Sequence, residues 1–166
     1  MKFKFSIIAL LTLILACGFA FLRTDNNTAP DSRFVLLDGS SKQMASLRGQ
    51  IALVNFWATS CASCVAEMPA LISTFEKYHS RGFSTVAVAM QYDPPSYVVN
   101  FSKSRQLPFD VAIDNSGEIA KEWGKVQLTP TTFIVDKQGN IVKRYVGVPD
   151  FVELHRLIEQ LLSETT

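Results

Sequence analysis

This 166-residue chain carries no excess charge of either sign: 16 lysines and arginines face 15 aspartates and glutamates, for a formal net charge of +1. Without a basic surplus, nucleic acid and anionic surfaces are not expected partners. Histidine is nearly missing as well. His79 and His155 stand alone, and neither belongs to a metal-ligand spacing, so a zinc site begun by Cys61 and Cys64 would lack its other two ligands. Each histidine is expected on a surface or helix face, and no metal is expected. No internal repeat or low-complexity stretch appears. The chain is 48% hydrophobic, enough for one core and one domain.

Charge also disappears locally. After Lys2 and Lys4, residues 5–22 contain no charged side chain, and Arg23 closes the run. This is the pattern of an export segment. Three fates are open to it. A lipoprotein signal would use Ile14-Leu15-Ala16-Cys17, making Cys17 a lipidation candidate, although Cys17 also reads as an ordinary apolar residue. A cleaved signal peptide would use Gly18-Phe19-Ala20. A retained anchor, the favoured reading, would use all 18 of these residues, near the lower limit for a membrane span, with the lysines held inside. Each fate delivers the chain from about residue 30 onward to the outside of the plasma membrane. Residues 23–33, polar and containing Pro30, read as a tether, and residues 34–163 as the folded domain.

In that domain Trp57-Ala58-Thr59-Ser60-Cys61-Ala62-Ser63-Cys64 follows the apolar run of residues 51–56 and precedes a helix-like pattern. Two cysteines at this spacing form a redox dithiol signature. A helix starting near Cys61 would aim free N–H groups and its positive dipole end at that sulfur and stabilise a thiolate. Cys64, one turn on, would lie within disulfide reach. Outside the membrane such a pair can be held oxidised, so redox use is favoured over zinc.

Residues 34–37 read as a strand with a turn at Asp38-Gly39, and residues 44–49 as one helical turn ended by glycine. Residues 51–57 form a continuous apolar run, as in a strand buried on both faces. Apolar residues at helical period extend from Cys61 to about Tyr78, followed by a second buried strand at 83–90 and a helix opened by Pro94-Pro95 and running to Arg105. A short strand at 109–113, a short helix at 118–123, a hairpin of 131–135 and 141–146, and an amphipathic helix at 151–162 complete the chain. The alternation predicts an α/β fold with a central mixed sheet covered on both faces. The cysteines lie where a strand ends and a helix starts, the usual ligand position in open sheets.

Glu67 is the single charged residue between Ile51 and Phe75. Three positions after Cys64, it shares a helix face with that sulfur. Burial would raise its pKa and equip it to relay protons, whereas on the outer face it would be an ordinary solvated glutamate. Pro69 cannot donate back to Val65, so it is expected to bend the helix and tilt the cysteine turn, or to be a tolerated core kink. Thr129-Pro130 precedes a strand, and by itself such a proline is expected to be trans.

Taken together, residues 57–64, then Glu67-Met68-Pro69, then residues 128–139 (Leu-Thr-Pro-Thr-Thr-Phe-Ile-Val-Asp-Lys-Gln-Gly) resemble the TlpA/ResA branch of thioredoxin-like thiol–disulfide oxidoreductases. The resemblance runs from about Phe34 to Leu162 and implies a thioredoxin-like three-layer fold with an extra helix and strand at residues 94–113. It implies that Cys61 is the exposed nucleophile, Cys64 the buried resolving thiol and Glu67 a carboxylate beneath the site. It also implies a cis Pro130 facing the disulfide, with Thr129 offering backbone to an extended substrate and Trp57 at the substrate-binding site. Asn55 stands where thioredoxin has a buried aspartate, leaving Glu67 as the main acid–base candidate. Ser60 and Ala62-Ser63 also depart from common patterns, so the direction of electron flow is left open.

The expected function is a membrane-anchored, periplasm-facing reductase acting on disulfides of envelope proteins, such as apocytochrome c or copper-site assembly proteins. A membrane thiol reductant would recharge it, and no cofactor beyond the two sulfurs is expected. The alternatives are a copper chaperone using Cys61 and Cys64 as Cu(I) ligands and a thiol peroxidase.

Overall fold

The computed structural model describes residues 27–164. The expected export segment, with Cys17, lies outside the described residues. No helix among those described is long and apolar enough to cross a membrane.

Among the described residues seven strands and four α-helices alternate, all but one short strand much as their hydrophobic periods predict. Strand β1 (Arg33–Val35) pairs antiparallel with β2 (Ser41–Gln43), and a 3₁₀ turn (Met44–Leu47) leads to the main sheet. That sheet comprises β3 (Ile51–Trp57), β4 (Phe83–Ala89), β5 (Asp110–Ile113), β6 (Thr131–Val135) and β7 (Ile141–Val146) in the order β5-β4-β3-β6-β7. β3, β4 and β5 are parallel, whereas β6 runs antiparallel to both β3 and β7. All seven residues of β3 are buried, because helices cover both faces of this central strand.

The helices are α1 (Ala62–Tyr78), α2 (Pro95–Arg105), α3 (Glu118–Glu122) and α4 (Phe151–Ser163). Alternation along β3 divides the core in two. Ile51, Leu53 and Trp57 point toward α1, α2 and α4, where they meet Met68, Leu71, Val98, Leu154 and Ile158. Ala52, Val54 and Phe56 point the other way, toward α3 and the N-terminal hairpin, and pack with Phe34, Trp123 and Phe133. Pro69 sits inside α1 on its exposed side and the helix runs through it, so it is not a core kink.

The short strand Ser41–Gln43 carries no apolar alternation and was not expected. The tether reading also needs correction at residues 28–33. Thr28 bridges to Asn140, the Ala29 N–H donates to the Gly139 carbonyl (2.9 Å), Ser32 is buried, and Arg33 opens β1. The folded unit therefore includes at least the six residues before the expected boundary at Phe34. These residues carry no hydrophobic period because their partners are backbone groups of residues 139–140 and, for Ser32, the Glu122 and Trp123 side chains.

Candidate active site

The last residue of β3 is Trp57, and Cys61 caps the N-terminus of α1. The Cys61 sulfur accepts from the Cys64 N–H at 3.2 Å, so one otherwise unpaired helix donor points at the reactive atom. A disulfide joins Cys61 to Cys64. Their environments differ: Cys61 is half-exposed, whereas Cys64 is fully buried in the core between α1 and the sheet. The Thr129 carbonyl oxygen lies 3.6 Å from the Cys61 sulfur, and the Thr129–Pro130 peptide is cis, which replaces the trans expectation drawn from that proline alone.

Glu67 is only 3% exposed, so it is not a solvated glutamate on the outer face. Asn55 Nδ2 donates to its Oε1 (3.0 Å) and to Thr132 Oγ1 (2.9 Å). Burial raises the Glu67 pKa from its usual 4.5 to about 7, against the smaller lowering effect of the Asn55 amide. A carboxyl poised near neutrality thus lies one turn along α1 from the Cys64 sulfur.

The turn before Cys61 is held by a residue that motif reading missed. Asp93, buried after β4, accepts from the Thr59 N–H (2.6 Å) and the Thr59 hydroxyl (2.5 Å). These residues are 34 positions apart, so only a hint was available, in the carboxylate preceding Pro94-Pro95 at a strand end. Tyr92 contacts the opposite loop, with its hydroxyl 3.3 Å from Thr129 Oγ1. Trp57 requires a correction. Its side chain is fully buried and packs on Phe101 at 5.1 Å, so it supports the site from below and shows no surface to a substrate.

The remaining candidates fall elsewhere. His79 is exposed and stacks on Phe75, while His155 meets Thr74 Oγ1 at 2.9 Å between α1 and α4. Met68 is buried in the core.

A redox disulfide capping α1 beside a cis-proline turn, at the ends of adjacent strands of a five-stranded mixed sheet, defines a thioredoxin-like thiol–disulfide oxidoreductase acting on protein disulfides. Comparison with known proteins narrows the class. The redoxin family matches residues 24–158, and the chain belongs to it, with the thiol–disulfide oxidoreductases named ResA among its relatives. The ResA of Bacillus thuringiensis subsp. konkukian is 31% identical over 169 residues, covering 96% of each chain. Among solved structures, a candidate thioredoxin from Neisseria meningitidis is 37% identical with a TM-score of 0.78, covering 85% of this chain and 93% of its own. A thiol:disulfide interchange protein of the thioredoxin family from Chlorobium tepidum is 28% identical with a TM-score of 0.75, covering 82% and 97%.

Proposed function

We propose that this oxidoreductase works as a reductant of disulfides in envelope proteins, anchored in a bacterial inner membrane by residues 1–22 with its catalytic domain on the periplasmic side. The observation that carries the reading is the asymmetry of the dithiol. One sulfur is accessible at a helix N-terminus, and the other is buried above a carboxyl with a pKa of about 7. In the reduced protein the Cys61 thiolate attacks one sulfur of a partner disulfide and expels the other as thiolate, leaving a mixed disulfide. Glu67 takes the proton from Cys64, whose thiolate then attacks the Cys61 sulfur. The Cys61–Cys64 disulfide forms and the partner leaves with both of its sulfurs reduced.

The cis-proline turn supplies the docking edge. Thr129 presents its backbone beside the Cys61 sulfur, where an extended partner segment can pair with it. The resemblance to the TlpA/ResA branch suggests apocytochrome c cysteines or the dithiol of a copper-handling protein as substrates, with a membrane thiol reductant restoring the dithiol.

The deciding experiment is the reduction potential of the Cys61–Cys64 pair, equilibrated against glutathione or dithiothreitol. A value near that of thioredoxin, about −270 mV, supports a reductant; one near −120 mV means an oxidant that introduces disulfides. A Cys64→Ser variant traps the mixed disulfide and identifies the partner, and its failure to retain any protein adduct in cells counts against a protein substrate.

A further inference from the structure

We infer that the groove at the end of α3, which Gln127 lines two residues before the Thr129–Pro130 turn, is a specificity site for an acidic stretch of the substrate, held by Lys125 with the Glu118-paired Lys121 beside it. The inference rests on the proposal that Cys61 attacks disulfides of partner proteins.

The groove encloses about 290 Å³, with Gln91, Lys121, Lys125 and Gln127 along its sides and buried Val126 pinning its floor. Gln127, one of its lining residues, stands two positions before Thr129 of the docking edge. The N–H groups of Gln127, Leu128 and Thr129 find no partner among the described residues, so this backbone is free to pair with an extended chain. Leu128 is 65% and Tyr92 55% exposed at the junction, which gives such a chain apolar surface beside Cys61.

The lysines are fixed in relation to each other. Gly124 and Lys125 both take the left-handed conformation (φ 79° and 54°). The Lys125 N–H donates to the Lys121 carbonyl (3.1 Å) and the Val126 N–H to the Ala120 carbonyl (2.8 Å). These bonds close the end of α3 and keep Lys125, an unusual residue for that backbone region, where it is.

Charge then selects the occupant. Of the two carboxylates on α3, Glu118 pairs with Lys121 (3.2 Å) and Glu122 accepts from the buried Ser32 hydroxyl. Lys125 has no carboxylate partner among the described residues, and Arg144, whose guanidinium lies over the Phe133 ring, approaches Gly124 from β7. No carboxylate lines the groove itself. An extended substrate rises about 3.3 Å per residue. A substrate segment that pairs with the backbone of residues 127–129 therefore brings side chains within a few positions of its reacting cysteine to the groove, where carboxylates meet the uncompensated Lys125 cation.

The test uses the reduced full-length protein and synthetic peptides with one internal disulfide, flanked within four positions by aspartates, serines or lysines. Each turnover passes two electrons and two protons from the Cys61–Cys64 dithiol to the peptide, so the second-order rate constant is read from oxidation of the protein. The acidic peptide is expected to react about three to ten times faster than the basic one, and the gap should shrink as salt is raised. In Lys121→Gln/Lys125→Asn, where asparagine tolerates the left-handed backbone, the acidic-to-basic ratio should fall toward one. Equal rates for all three peptides in the wild type overturn the inference and leave the reductase reading standing. A preference that persists in the variant removes the assignment to these lysines. Failure to reduce any of the peptides overturns the reductase reading, and the inference falls with it.

Discussion

The two faces of the central sheet are built differently. Toward α3 and the N-terminal hairpin lies a packed aromatic cluster in which Phe56, Trp123 and Phe133 meet at 5.0–6.1 Å. The buried polar groups on that side are bonded: Trp123 Nε1 donates to Ser32 Oγ (3.1 Å), and Asp114 accepts from the Ile119 and Ala120 N–H groups. On the face toward α1, α2 and α4, by contrast, Asn55 Oδ1, Trp57 Nε1, Glu67 Oε2 and Thr85 Oγ1 are buried without a protein partner. One face is optimised for packing. The other keeps polar capacity on the side of the disulfide, where the proposed proton transfer by Glu67 would take place, and unsatisfied buried groups of this kind collect at functional sites.

Substitutions can break this contrast, and the largest effect is expected at the sulfur itself. Cys61→Ser should abolish thiol exchange and yield no mixed disulfide by mass spectrometry, while its fold, followed by circular dichroism, persists. On the packing face Trp123→Ala should lose about 3–5 kcal/mol in urea unfolding but leave the reduction potential in place. A shifted potential there would mean that the two faces are coupled.

Glu67 sharpens the contrast through pH. Its native pKa of about 7 exceeds the usual 4.5, so the native state binds more protons than the unfolded chain in between. Stability therefore falls as pH rises through that window, by about 3 kcal/mol in all. Glu67→Gln should flatten this slope, becoming the more stable form above pH 8, and should remove the inflection near pH 7 from the exchange rate. An unchanged pH–rate profile would end the proton-relay role. Smaller still, Thr59→Val should cost about 1–2 kcal/mol by deleting the hydroxyl bond to Asp93 and should slow mixed-disulfide formation by loosening the turn before Cys61.

Much of the contrast was legible in the chain before folding. The period of β3 and α1, the dithiol at their junction and the lone carboxylate among apolar residues are local patterns, and local patterns report burial directly. Burial of Glu67 was one of two open readings. Contact with Asn55, 12 positions earlier on a different element, settled it. Trp57 was misplaced because a strand-end aromatic serves equally well in a core or at a binding surface, and only Phe101 packing on it distinguishes the two. Strand β1 and its turn were read, but its partner β2 and residues 28–33 were missed or misread because backbone pairing has no side-chain signature.

Sequence alone determined that this chain would form a covered mixed sheet with a redox pair of sulfurs at a strand-to-helix junction, since periodicity and spacing express the geometry of single elements. Tertiary structure alone decided that Asp93 clamps Thr59, that Asn55 bonds Glu67 beneath the sulfurs, and that Lys125 stands beside the docking edge. Those relations are distances between elements, and they exist only once the sheet has brought its strand ends together.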